Sequence, residues 1–133
     1  MLEHRLPIDS DFRKSIPLGT GCLDYFPDAL AAVAHLSFVG NQKHNPGEPL
    51  YWNRSKSTDE ADCLIRHFVE RGSLDTDGIL HSTKVAWRAL ALLQKELEER
   101  FSLPISRGSK FDVNKDGGDH TDQQSANADS QCD

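Results

Sequence analysis

Lysine and arginine never run beyond a pair in this chain, and they are outnumbered, 15 against 21 aspartates and glutamates, for a formal net charge of −6. A protein that grips nucleic acid through many phosphate contacts needs the opposite balance, so that class drops out. No segment approaches the roughly 18 consecutive apolar residues of a membrane span, and the start Met1-Leu2-Glu3-His4-Arg5 lacks a signal peptide's apolar stretch. A cytoplasmic protein is expected. Cysteine is scarce: Cys22, Cys63 and Cys132 are odd in number and lack the CxxC spacing of a zinc or redox site. That pattern suggests free thiols in a reducing compartment, with Cys63 a small helix residue. Apolar and polar residues also fail to alternate at period two for more than a few positions, which excludes a half-buried sheet and leaves an all-α chain.

What is present fits one globular domain: 133 residues, 37% hydrophobic and 27% charged. Pro7, Pro17, Pro27, Gly19 and Gly21 break residues 1–27 too often for a long helix, and an extended arm is expected there. Residues 28–105 carry the apolar periodicity of a helical domain. Residues 106–133 hold Asp112, Asp116, Asp119, Asp122, Asp129 and Asp133 with Phe111 and Val113 among few apolar side chains, the composition of a flexible acidic tail. Asp112-x-Asn114-x-Asp116-Gly117 matches the first half of a calcium-binding loop. Gln123 stands where the bidentate Glu belongs, so a disordered tail is the better reading.

Leu30, Val33, Leu36, Phe38 and Val39 predict a first helix over 28–44, with an apolar face wide enough for contact on two sides. Pro46, Gly47 and Pro49 forbid its continuation and leave a loop carrying Tyr51 and Trp52. Ser57-Thr58-Asp59-Glu60 matches a capping box ahead of Ala61, Leu64, Ile65 and Phe68, predicting a second helix that Gly72 stops. A third is predicted from near Gly78 to Arg100. The short turn between them, carrying Asp75 and Asp77, requires antiparallel packing.

Helical spacing gathers Asp59, Asp62, Arg66 and Glu70 into one stripe, flanked by His67, and Asp77, His81, Lys84 and Arg88 into another. Carboxylates facing each other suit Mg²⁺ or Mn²⁺, and neighbouring cations suit phosphate oxygens. Together they point to hydrolysis of a phosphoanhydride, with the ions neutralising phosphate charge and activating water. Glu60 is most simply a capping residue. For the charged stripes, a solvated helix face is the competing explanation.

The strings Leu23-Asp24-Tyr25-Phe26-Pro27-Asp28-Ala29-Leu30, Gly40-Asn41-Gln42-Lys43-His44-Asn45-Pro46-Gly47-Glu48-Pro49-Leu50-Tyr51-Trp52, Arg66-His67 and Asp75-Thr76-Asp77-Gly78-Ile79-Leu80-His81 through Trp87 resemble the phage-encoded dATP/dGTP diphosphohydrolase N-terminal family. That family belongs with the MazG-like all-α nucleoside triphosphate pyrophosphohydrolases. The resemblance, over about residues 15 to 98, implies a MazG-like helical bundle completed by oligomerisation, with a homotetramer expected. It implies conversion of dGTP or GTP to the monophosphate and pyrophosphate in the cytoplasm of an infected bacterial host, supplying precursor for phage 2-aminoadenine DNA synthesis.

Two or three Mg²⁺ or Mn²⁺ ions per site are implied. Asp59, Asp62, Asp77, His81 and Glu70 are the candidate ligands, and Asp59, Asp62, His67 and Asp77 the candidate catalytic set. Lys43, His44, Asn45, Trp52, Arg66, Lys84 and Arg88 are candidates for holding the nucleotide. The wider MazG pattern of ExxE followed by ExxD is met only by Asp59-x-x-Asp62 and by Asp77 with His81 one step beyond the expected carboxylate. The competing reading is a non-catalytic helical module that binds a nucleotide or a protein.

Overall fold

The computed structural model describes residues 6–112, and the acidic stretch beyond, with most of the partial calcium loop and the expected flexible tail, lies outside the described residues. Its order is α1 (Ser10–Lys14), a π-helical turn (Gly19–Leu23), α2 (Pro27–His44), β1 (Trp52–Asn53), a 3₁₀ turn (Arg54–Lys56), α3 (Glu60–Val69), α4 (His81–Arg100) and β2 (Ser109–Lys110). The chain is mostly helical, as an all-α reading expects, with one short parallel pairing of Trp52 with Ser109 and Asn53 with Lys110. No helix among the described residues is long and apolar enough to cross a membrane.

The N-terminal arm is less extended than its prolines imply. Asp9 caps α1 by accepting a hydrogen bond from the Phe12 amide at 2.8 Å, so a short turn forms between Pro7 and Pro17. α2 starts with Pro27 in its first turn, where a missing N–H costs nothing. It packs against α4, and Trp87 Nε1 donates to Ser37 Oγ at 2.9 Å.

α3 and α4 form the antiparallel hairpin that the short turn requires. The turn is a small hairpin in its own right. Leu74 and Leu80 bridge antiparallel, the Asp75 amide donates to the Ile79 carbonyl at 2.8 Å, and the Gly78 amide to the Asp75 carbonyl at 2.9 Å. Gly78 has φ 81°, a conformation that costs an L side chain about 1–2 kcal/mol. A Cβ there would meet nothing within 4 Å, so a Gly78→Ala variant is expected to lose that backbone cost alone, read as a lower thermal midpoint.

The segment after α4 corrects the expected tail boundary. Residues 106–112 belong to the fold: the Ser106 amide donates to Glu98 Oε2 at 2.9 Å, the Trp52 amide to the Gly108 carbonyl at 2.8 Å, and the Asp112 amide to Ser55 Oγ at 2.7 Å. Arg54 fastens the same corner. It is 4% exposed, donates to Glu98 at 2.9 Å and to Ser106 at 3.2 Å, and stacks 3.8 Å from the Trp52 ring.

Which side of each helix turns inward is the main departure from a conventional core. The buried residues of α4 are His81, Lys84, Arg88, Ala91 and Glu98, a polar stripe at helical spacing, while Leu90, Leu93 and Leu97 on its other side are exposed. On α3, Glu60, Cys63 and His67 are buried and Ile65, Phe68 and Val69 are exposed. Cys63 and Ala91 are the buried hydrophobic residues among those described. Cys63 is disulfide-bonded, which corrects the expectation that every thiol is free; Cys22 is a free cysteine.

Candidate metal centre and adjoining cleft

Two polar sites lie along the inward stripe, one at each end of the α3–α4 hairpin. At the turn end, His67 near the last turn of α3 meets His81 at the first turn of α4, with Nδ1 to Nδ1 at 2.9 Å. Asp75, presented by the small hairpin, completes a group whose ligand atoms all lie within 4.8 Å of one another. Glu70 Oε2 stands 3.4 Å from His81 Nε2, on the far side of that ring. Two imidazoles and a carboxylate suit a divalent ion by donor chemistry.

Lys84 organises the acids here. Its ammonium is 3% exposed and donates to Asp75 at 2.7 Å and Asp77 at 2.8 Å. The Lys84 hydrogen bond lowers the Asp75 pKa to about 2 against some desolvation, keeping the carboxylate ionised. Burial pushes Asp77 upward, but Lys84 and the Ile79 amide outweigh it and its pKa is lowered too. Burial works against the Lys84 charge as well, yet the two carboxylates prevail and its pKa is raised.

At the other end, Glu60 is buried among donors. It receives hydrogen bonds from Ser57, from Lys95 at 2.7 Å and from Arg88 at 3.3 Å. The capping box is therefore realised differently from its sequence form. Helix α3 begins at Glu60 with Asp59 at the N-cap, and Ser57 meets Glu60 side chain to side chain while its carbonyl accepts from Lys95.

Between α2, α4 and the aromatic loop lies a cleft of about 320 Å³, lined in part by His44, Asn45, Tyr51, Trp52, Lys56, Lys84, Trp87 and Arg88. Trp52 and Trp87 meet edge to face with centroids 5.7 Å apart, so they form one wall and leave no slot between them. Asn45 is 7% exposed and binds Tyr51, Asn53 and Asn41, which sets the loop's shape. Lys56 reaches the His44 carbonyl at 2.6 Å.

The structure thus brings His44, Asn45, Trp52, Lys84 and Arg88 to one cleft, as sought for a nucleotide, and gathers His67, Glu70 and His81 at the turn. Lys43 and Arg66 are exposed and do not line that cleft, and Arg66 pairs with Asp59 at 2.9 Å. Asp59 and Asp62 lie at the opposite end of α3 from Asp77, about 12 Å along the axis from residue 62 to residue 70 at 1.5 Å per residue. Asp62 is exposed. Within one chain, then, Asp62 and Asp77 do not face each other. Residue spacing does not single out Asp75, because a helix starting near Gly78 makes Asp77 share a face with His81; α4 starts at His81, and the hairpin delivers both acids instead.

No protein-family profile matches the chain, and no characterised protein or solved structure matches it either.

Proposed function

We propose that this chain is a metal-dependent pyrophosphohydrolase of purine nucleoside triphosphates, cutting dGTP or GTP to the monophosphate and pyrophosphate, within the phage dATP/dGTP diphosphohydrolase family and its MazG-like bundle. The observation that carries the reading is the position of Lys84. It bonds Asp75 of the His67–Asp75–His81 group and also lines the cleft, so a ligand seated in the cleft abuts the metal-binding group.

The Trp52–Trp87 wall and Tyr51 supply flat surface for a purine, and the Arg88 guanidinium offers a fork of donors to phosphate oxygens. Asp75 is kept anionic by Lys84, and Glu70 faces the outer nitrogen of His81. A divalent ion, for which the family resemblance offers Mg²⁺ or Mn²⁺ and the nitrogen-bearing donor set favours Mn²⁺, would supply Lewis-acid polarisation of a phosphoryl oxygen and a more acidic water when bound. Asp59, half-buried, and Asp62, exposed, lie at the far end and serve this site only if a second subunit brings them to it.

Assembly belongs to the same reading. The exposed stripes Leu90, Leu93, Leu97 and Ile65, Phe68 present apolar surface that water disfavours, and packing between subunits would cover it. A homotetramer is the proposed form.

Purified full-length protein incubated with dGTP, GTP, dATP and dCTP plus Mn²⁺ is expected to release pyrophosphate and monophosphate from the purine substrates. Asp75→Asn should slow release at least about tenfold, a loss of 1.4 kcal/mol of transition-state stabilisation. Binding without turnover would favour the non-catalytic module, and orthophosphate as the product would discard the assigned bond.

A further inference from the structure

We infer that His67, Asp75 and His81 form a mononuclear site for a transition ion of the manganese, cobalt or zinc kind, with both imidazoles ligating through Nδ1 and magnesium excluded as its resident. The inference rests on reading the turn end of the helix hairpin as a metal centre, and it names the ion that the centre selects.

The donor atoms come first. The imidazoles confront each other through Nδ1 at 2.9 Å. Metal–nitrogen bonds of about 2.0–2.1 Å at angles of about 90–110° put two ligating nitrogens about 2.9–3.4 Å apart, so the separation suits a chelate; the rings share a hydrogen bond with centroids 5.1 Å apart, and each must turn and the shared proton must leave for the ion to enter. Asp75 Oδ2 lies 3.9 Å from His81 Nδ1, near enough for one ion to reach both. Magnesium prefers an all-oxygen shell that retains water, whereas nitrogen donors favour later divalent ions.

The surroundings supply the second, independent indication. Glu70 faces His81 Nε2 at 3.4 Å, so a carboxylate stands on the outer side of the ring, where it favours a proton on that nitrogen and leaves Nδ1 for an ion. Asp75 is fixed by Lys84 at 2.7 Å and by the Thr76 amide at 2.6 Å. Both histidines are 6% exposed, while the Glu70 side chain is 63% exposed and marks the side from which an ion enters. Glu70 and Lys84 are positioning residues, and the three ligands are contributed by a helix end, a hairpin and a helix start.

The test uses the full chain stripped by chelator and titrated with Co²⁺ alone, followed by visible d–d absorption. Saturation at one equivalent per chain is expected, with Zn²⁺ displacing the band and millimolar Mg²⁺ leaving it. His67→Gln and His81→Gln should each weaken Co²⁺ at least about a hundredfold, and Glu70→Gln by about 10–100-fold, while Asp28→Asn on the surface of α2 leaves it unchanged. Pulsed electron paramagnetic resonance of the Mn²⁺-loaded wild-type chain, which needs no variant to fold, should show coupling to imidazole nitrogen. Absence of nitrogen coupling, displacement by Mg²⁺, or full affinity in both histidine variants would overturn the inference. Nitrogen-coupled metal in a protein that hydrolyses no triphosphate would sink the proposed function and leave the site standing.

Discussion

Exchanging Lys84 for Met is expected to destabilise the folded chain by about 3–5 kcal/mol, the range for removing one partner of a buried ion pair. Lys84 is buried against Asp75 and Asp77, and truncation of its charge strands the mostly covered Asp75 carboxylate, while Asp77, with a 35% exposed side chain, keeps part of its water. With a urea slope of about 1–2 kcal/mol/M for a domain this small, the denaturation midpoint falls by roughly 1.5–5 M. The pH dependence has a definite sign. Asp75 titrates near 2 in the folded chain against 3.8 unperturbed, so its contribution is complete above about pH 4 and fades as acid approaches pH 2. In Lys84→Met both acids lose the cation that depresses them, and their protonation relieves the repulsion. The difference between variant and wild type should therefore shrink on acidification. Equal urea midpoints for the two proteins at neutral pH would show that the carboxylates are solvated without Lys84.

The long elements could be read from residue spacing because their signals are local. Pro27 opens α2 and the apolar positions through Val39 run at helical period, so the helix over 28–44 and the observed Pro27–His44 nearly coincide. Gly72 and Gly78 likewise mark the turn, since both take positive φ. Periodicity says which residues share a face and is silent about which face is inside. On α4 the polar stripe from His81 through Lys84 and Arg88 was visible, yet its burial depends on Asp75, Asp77 and Glu60 arriving from elsewhere in the chain. The same limit applies to the aromatic corner, where residues 106–112 are ordered by partners at Asn53, Arg54 and Ser55 far earlier in sequence. Asp75 was hidden for a smaller reason: a start for α4 placed a few residues early converted a hairpin position into a helical one. The Asp-Thr-Asp-Gly spacing itself carried the available signal, because Gly at the fourth place permits the turn that aims both acids the same way.

Glu60 offers the other large effect, and a double substitution separates its causes. Glu60→Ala removes the carboxylate on which Ser57, Arg88 and Lys95 converge, and a loss of about 3–5 kcal/mol is expected. Lys95 has a 30% exposed side chain and can turn its ammonium to water, so the larger part of the loss should come from Arg88, whose guanidinium is 10% exposed. Burial already lowers the Arg88 pKa against the pull of Glu60. Replacing both residues, as Glu60→Leu with Arg88→Met, removes the stranded charge and should recover most of the deficit, since a buried pair exchanged for apolar residues of similar volume is often neutral. The pH signature again follows from direction. Although burial raises Glu60, its hydrogen bonds and nearby cations prevail and set its pKa below the usual 4.5. Its stabilisation is therefore present above about pH 4.5 and lost as pH falls through the lower folded value, and the double variant should lack that acid transition. Urea titrations of the single and double variants across this range measure the coupling directly. A double variant no more stable than Glu60→Ala would mean that Glu60 holds α3 through Ser57 and the helix start, with the arginine already satisfied by other contacts.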